Sequence, residues 1–231
     1  MSRPSIHTGL FNKAVRTGFL PLIAADGWRK LTGKRFGRLE NDVYEWLAIV
    51  HDDRGTPRIM VEYGVMPLVI PSESENMNVG GRFWKGSHEW RGIHGEGAIE
   101  KAVEAMCTEW SGRVRPWMTE LLTAVGFANA VAAKEHPNKC YDAFDLACVY
   151  MNEGQIAQSR EWLERARTEF ASTYRTNPHA EWADEHARLC QRALQEIAAG
   201  HSPGLCAEWI QSTYMSLELG EHFDPLDKKG T

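Results

Sequence analysis

The residues best suited to chemistry in this chain are histidines with carboxylates beside them. His88 and His94, next to Glu89 and Glu96, supply the imidazole and carboxylate groups that a divalent transition metal takes. On a strand, however, His88 and Glu89 point to opposite faces, and the pattern reads more simply as the border of a surface loop. His51-Asp52, followed by Asp53, has the makings of an acid–base pair, but it stands where a hairpin turn takes short polar residues. His136 and Cys140 are spaced as H-x3-C, one helical turn apart. Pro137 intervenes, and no C-x2-C pair accompanies them to complete a zinc site. His179 and His186 lie two turns apart with no third ligand between them. The chain has no G-x-S-x-G elbow and no C-x-x-C. Its glycine-rich spots, Gly80-Gly81 and Gly92, Gly95 and Gly97, lack the Lys and Ser/Thr of a phosphate loop. An enzyme, hydrolase-like with a cleft between sheet and helices, would draw on His51, His88, His94, Glu89 and Glu96. No catalytic set, metal or cofactor is expected.

Binding has more material. Arg82, Trp84, Trp90 and Arg91 combine aromatic and guanidinium groups, and Trp84 and Trp90 fall six apart on an expected strand, hence on one face. Aromatics and Arg are what interface hot spots are made of. Trp46, Trp110, Trp117 and Trp162 fall near apolar stripes and are expected in the core. A basic cluster, Arg29, Lys30, Lys34, Arg35 and Arg38, surrounds Trp28 and Phe36, as a phosphate backbone with stacked bases would require. The overall charge argues against nucleic acid. Residues 1–96 carry 13 Lys+Arg against 11 Asp+Glu, and residues 97–231 carry 13 against 20. The acidic helices, with Glu161, Glu164, Glu169, Glu181, Asp184 and Glu185, suit a basic protein partner reached by electrostatic steering.

These residues are positioned by two kinds of element. Leu10, Phe11, Ala14, Val15, Phe19, Leu22 and Ile23 mark one face of an amphipathic helix that ends near Gly27, with Pro21 set to kink or split it. Residues 43–51 and 58–66 are dense in β-branched and aromatic residues around the turn residues 52–55, the best hairpin in the chain. Residues 35–39 and 82–90 add strands on either side, with 72–78 as a loop. From Gly97 the period becomes helical. Ile99, Val103, Met106, Trp110, Val114, Trp117 and Leu121 step by three and four, and Pro116 should end or kink that helix. Further stripes run through Phe144, Ala147, Cys148 and Met151, then Leu163, Ala166 and Phe170, then Ala183, Ala187, Cys190, Leu194 and Ile197. A last helix opens at Ser202-Pro203 and runs to about Leu219. Residues 146–166 touch the tetratricopeptide pattern once, and helical hairpins packed as a bundle account for them more simply.

The expected fold is therefore α+β: an N-terminal helix and a meander sheet of three to five antiparallel strands over 1–96, then a helical bundle over 97–231, packed as one compact unit. A length of 231 residues, 43% hydrophobic and 25% charged, is ordinary for a globular protein. No apolar run is long enough for a membrane span, and the first residues lack a signal-peptide core. Five widely spaced cysteines fit a reducing compartment, so a cytoplasmic protein is expected.

The helix ending in Gly27-Trp28-Arg29-Lys30, the entry Arg35-Phe36-Gly37-Arg38, the strand Val61-Glu62-Tyr63-Gly64-Val65-Met66-Pro67, the Trp-bearing strand and the helix through Arg115-Pro116-Trp117 carry a resemblance. Over residues 8–125 the chain resembles a family of small bacterial α+β domains of unknown function, and is similar to immunity proteins of polymorphic toxin and contact-dependent inhibition systems. The resemblance implies a protein partner, a toxin domain to be neutralised, and transfers no catalytic residue.

Overall fold

The first helix, α1 (Ile6–Ala25), buries Thr8, Phe11, Val15, Phe19 and Ile23, a stripe that steps by three and then by four. In this computed structural model the described residues are 6–52, 57–74, 78–84, 90–134 and 137–223. The hairpin residues 53–56, the loop residues 75–77, His88, Glu89 and His136 lie outside them, as does the side chain of Glu96. Pro21 does not split α1. It sits on the exposed side, where the carbonyl it leaves unbonded reaches water.

Six strands follow in an antiparallel sheet: β1 (Arg29–Lys30), β2 (Arg35–Glu40), β3 (Val43–Asp52), β4 (Arg58–Pro67), β5 (Val79–Arg82) and β6 (Arg91–Gly92). The order is β1-β2-β3-β4-β5, and β6 pairs with β4 as well, Arg58 opposite Gly92 and Ile59 opposite Arg91. The long strands β3 and β4 are the expected pair. Between β2 and β3, Asn41 and Asp42 take φ of 50° and 58°, as a two-residue hairpin loop twisted with its strands needs. Gly64 in β4 is required by a close approach: a Cβ there would stand 2.6 Å from the Trp46 ring of β3. Of the expected strand over 82–90, residues 85–89 lie outside the described residues. β5 ends at Arg82 and β6 begins at Arg91, and Trp84 is buried rather than displayed with Trp90.

The next helix corrects the sequence reading in an instructive way. α2 (Glu96–Glu109) and α3 (Arg115–Glu120) are joined without a break by a π-helical turn, Trp110–Val114, in which the Arg115 N–H donates to the Trp110 carbonyl. The wider turn takes up Pro116, which therefore ends nothing. It also holds one extra residue, so the buried stripe slips by one: Met118 is buried at 1% exposure while Trp117, expected in the core, is half-buried.

α1, most of the sheet, α2, the π turn and α3 belong to one compact unit, residues 1–40, 44–65 and 80–120. The first helices after residue 97 thus group with the strands. The second unit, residues 41–43, 66–79 and 121–231, is otherwise helical. It contains α4 (Ala124–Ala132), α5 (Lys139–Asn152), α6 (Ile156–Thr176), α7 (Glu181–Ala199), α8 (Ser202–Ser216) and a 3-10 turn, Leu219–Glu221. Asn138 caps α5 by accepting from the Tyr141 N–H, and Thr123 caps α4 by accepting from the Gly126 N–H. Gly154, at φ 73°, turns α5 into α6. Ala147, Ala166, Ala183 and Ala193 are all fully buried, which lets the helix axes approach closely around Phe144, Cys148, Leu163, Phe170 and Cys190. Ser159 is buried in that seam with its hydroxyl donating to the Ala147 carbonyl at 2.8 Å. Among the described residues no helix is long and apolar enough to cross a membrane.

Candidate functional site

The histidines of the enzyme reading do not assemble into a described site. His51 packs edge-on to Phe11, with ring centroids 5.2 Å apart, on the inner side of α1. His94 is exposed after β6, and His88 and Glu89 lie outside the described residues. Asp52, the carboxylate beside His51, is buried and accepts two hydrogen bonds from Arg58 at 3.1 and 2.7 Å, so it works as a strand-to-strand tie rather than a base. Among the described residues no three His, Cys, Asp or Glu gather as metal ligands would. Burial pushes the thiols of Cys190 and Cys206 up, to about 12 and about 11, and that of Cys148 well above its ordinary value. Protonated and enclosed, these three are poor nucleophiles.

The sheet-side binding candidates are engaged within their own unit. Arg91 lies over the Trp84 ring at 5.1 Å, Arg58 lies over Trp90 at 4.7 Å, and Arg82 pairs with Glu62 at 3.2 Å. The centre of this region is Arg113, from the π turn. Its guanidinium pairs with Glu109 at 2.8 Å and donates to the Tyr63 hydroxyl at 2.8 Å and to the carbonyls of Arg82 and Phe83 at 3.1 and 2.7 Å. Those two carbonyls belong to the last residue of β5 and the residue after it, so Arg113 fastens the end of that strand to the helix. No sequence motif announces it; a basic residue three before Pro116 is the only trace.

The basic cluster also turns inward at its aromatics. Trp28 and Phe36 are each 5% exposed, and Trp28 packs edge-on to Trp110 at 5.2 Å. Arg38 forms ion pairs with Glu45 and Glu40. Glu45 is fully buried, and burial pushes its carboxyl up, an effect that Arg38 offsets only in part. The rings that stacked bases would need are core.

The second unit differs. Of the six acidic candidates, Glu164 pairs with Arg167 at 2.7 Å and Asp184 pairs with Arg188, so two are neutralised on their own helices. α6 carries four arginines against three glutamates and is not an acidic helix in net terms. Glu161, Glu181 and Glu185 are exposed and, among the described residues, unpaired.

Between the last two stands a residue that the sequence reading passed over. Trp182 is 42% exposed, yet it is held: its ring stacks on Tyr141 of α5 at 5.5 Å and 18°, and meets Phe170 of α6 edge-on at 6.2 Å. His186, one turn on, packs against Tyr141, Phe144 and Phe170 and donates from Nδ1 to the Trp182 carbonyl, 2.7 Å away. The signal was available. Trp182 stands one place outside the α7 stripe that starts at Ala183, where a large ring is bound to reach the surface.

Two further features lie in this unit. An open cleft of about 530 Å3 is walled by Met151 and Ile156 at the α5–α6 turn and by Ile197, Pro203, Cys206 and Ile210 of α7 and α8. In the core, Asp145 is 3% exposed and accepts from the Asn78 amide at 3.0 Å, while Asp142, one turn earlier, pairs with Lys134. Burial pushes the Asp145 carboxyl up to about 7, Asp142 adding to the rise and Asn78 and Lys134 opposing it.

Comparison with protein families, with curated proteins and with solved structures returned no match to this chain.

Proposed function

We propose that the protein is a non-catalytic protein-binding module, and specifically one that neutralises a basic toxin domain in the manner of an immunity protein, acting in the bacterial cytoplasm. The observation that carries this reading is the start of α7: an exposed tryptophan fixed by stacking, with unpaired carboxylates on either side of it. A rigid aromatic anchor loses little conformational freedom on binding, and unpaired acids beside it raise the rate of encounter with a positive surface. Of the catalytic candidates, His51 is packed against Phe11 and Asp52 is held by Arg58. The reading draws nothing from Arg82, Trp84, Trp90 and Arg91, whose rings and charges satisfy one another or their neighbours.

The test is co-expression with the product of the adjacent gene, followed by gel filtration and a growth assay. A stoichiometric complex that weakens with salt and relieves the neighbour's toxicity is the expected result. Independent elution at every ionic strength, with toxicity unrelieved, overturns the reading.

A further inference from the structure

Three tryptophans of the protein carry a guanidinium, and the most exposed tryptophan among the described residues does not. Arg58 lies over Trp90, Arg91 over Trp84 and Arg165 over Trp162, at 4.7, 5.1 and 5.0 Å from the ring centres. Trp182 carries none among the described residues, although it is the most exposed tryptophan among them. Tyr141 stacks on its ring at 18° between the planes, Phe170 and His186 meet it edge-on, and 42% of the residue remains open to solvent. On a helix, Glu185 lies three residues on and shares the side of Trp182, and Glu181 is its immediate neighbour, with Glu185 one turn beyond Glu181. Both carboxylates are exposed and, among the described residues, unpaired, whereas Asp184, around the helix, is taken by Arg188. An exposed indole with one such carboxylate on its own side of the helix and a second at the neighbouring position is the chemistry that a planar cation satisfies: the ring attracts it and a carboxylate accepts its N–H groups.

We infer that Trp182, Glu181 and Glu185 form a receptor for an arginine side chain presented by a basic protein partner. This rests on the protein-binding reading above and names the chemistry of the contact. Arginine is favoured over lysine because the guanidinium is flat enough to stack on the ring while its edge donates to a carboxylate, and because it gives up its hydration more readily than an ammonium does. Tyr174, exposed one turn beyond Phe170 on α6, extends the aromatic surface on the same helix pair.

The experiment is a titration of the full chain at low salt with a hexa-arginine peptide and, separately, a hexa-lysine peptide, followed by the indole N–H resonances of the nine tryptophans in a proton–nitrogen correlation spectrum. The expected result is a saturable movement of the Trp182 indole, assigned from its loss in Trp182→Phe, with the arginine peptide binding about fivefold more tightly than the lysine peptide. Glu185→Gln and Glu181→Gln, both on exposed positions that leave folding unchanged, each weaken binding about twofold to threefold and flatten its salt dependence. Trp182→Phe keeps part of the affinity, and Trp182→Ala abolishes the preference for arginine. Movement centred on a different indole, equal affinity for the two peptides, or glutamine variants that bind as the parent does would overturn the proposal. The two readings fail separately. A toxin complex untouched by Trp182→Ala removes the arginine receptor and leaves the protein-binding function standing, whereas a peptide response without any protein partner does the reverse.

Discussion

The two units of this protein treat charge in opposite ways. In the unit that holds the sheet, the buried or half-buried carboxylates each have a guanidinium: Glu45 with Arg38, Asp52 with Arg58, Asp26 with Arg115, Glu62 with Arg82, and Glu109 with Arg113. Asp26 also accepts from the Trp110 indole at 3.0 Å, and the Arg38 guanidinium reaches the Asp26 carbonyl. Charge there is a fastening, used to tie strands and helices together. In the helical unit Lys134 holds the buried Asp142, but the packing is otherwise made by alanines, cysteines and aromatic rings. Asp145 is buried with an amide for a partner, and Glu161, Glu181 and Glu185 are exposed and, among the described residues, unpaired. The lesson is that an acidic count does not locate a binding face; what matters is which acids the fold has left unpaired.

Variants can break this contrast, and the largest effects should come from the fastened unit. Arg38→Met leaves Glu45 buried without its cation, and a loss of about 3–5 kcal/mol in unfolding free energy is expected by urea titration. Arg38→Met combined with Glu45→Gln should recover much of that loss. If the double variant is no more stable than the single one, the pair is not the fastening described. Gly64→Ala comes next. It drives a methyl group into the Trp46 ring and should cost about 1–3 kcal/mol, with a change in near-ultraviolet circular dichroism from the displaced indole.

A third variant sharpens the helical side. The folded state holds the Asp145 proton up to about pH 7, while the unfolded chain releases it near the usual carboxylate value. Its contribution to stability is therefore full below about pH 4 and is lost as the pH rises through about 7, at about 1.4 kcal/mol for each unit of difference. Asp145→Asn keeps the acceptor for the Asn78 amide without the charge. It should flatten the pH dependence between about 4 and 7 and make the protein more stable than the parent at pH 8. A parent profile that rises over that interval, unchanged by the substitution, would show that the carboxyl is not held in this way. The smallest effect is expected of Glu181→Gln and Glu185→Gln, within about 0.5 kcal/mol of the parent in stability. That null effect on folding, set against a loss in binding, is what separates a face kept for a partner from one kept for the fold.

Much of the fold was legible because burial writes itself into period. Phe11, Val15, Phe19 and Ile23 declare α1, and the two runs around residues 52–58 declare β3 and β4, since the apolar positions there have no other use. The elements that escaped have little apolar content or are made by contacts distant in sequence. β1 is two exposed residues that are a strand only because Phe36 and Gly37 lie opposite them. β5 is Val-Gly-Gly-Arg, with almost no side chain to show a face. The π turn escaped because a helical repeat is assumed to be uniform, and Pro116 was given the role of breaker when the residues before it had already widened to admit it. The candidate site was legible in part. Glu181 and Glu185 were named from their charge, but Glu164 and Asp184 were named for the same reason and are paired within their own helices. Trp182 belongs to no apolar stripe and no motif, and only the packing of Tyr141 together with its exposure shows it to be both fixed and open to solvent.

The π turn also leaves this helix with a residue in reserve. A deletion of Ser111 or Gly112 would draw the wide turn in to the ordinary α period, and every position after it, Val114, Met118 and Leu121 among them, would keep its facing toward the core. The strain would be confined to Pro116, whose ring would meet a carbonyl that the wide turn now holds back. In hereditary terms, this helix can lose a single codon at the wide turn and answer with a change of pitch, its buried face kept.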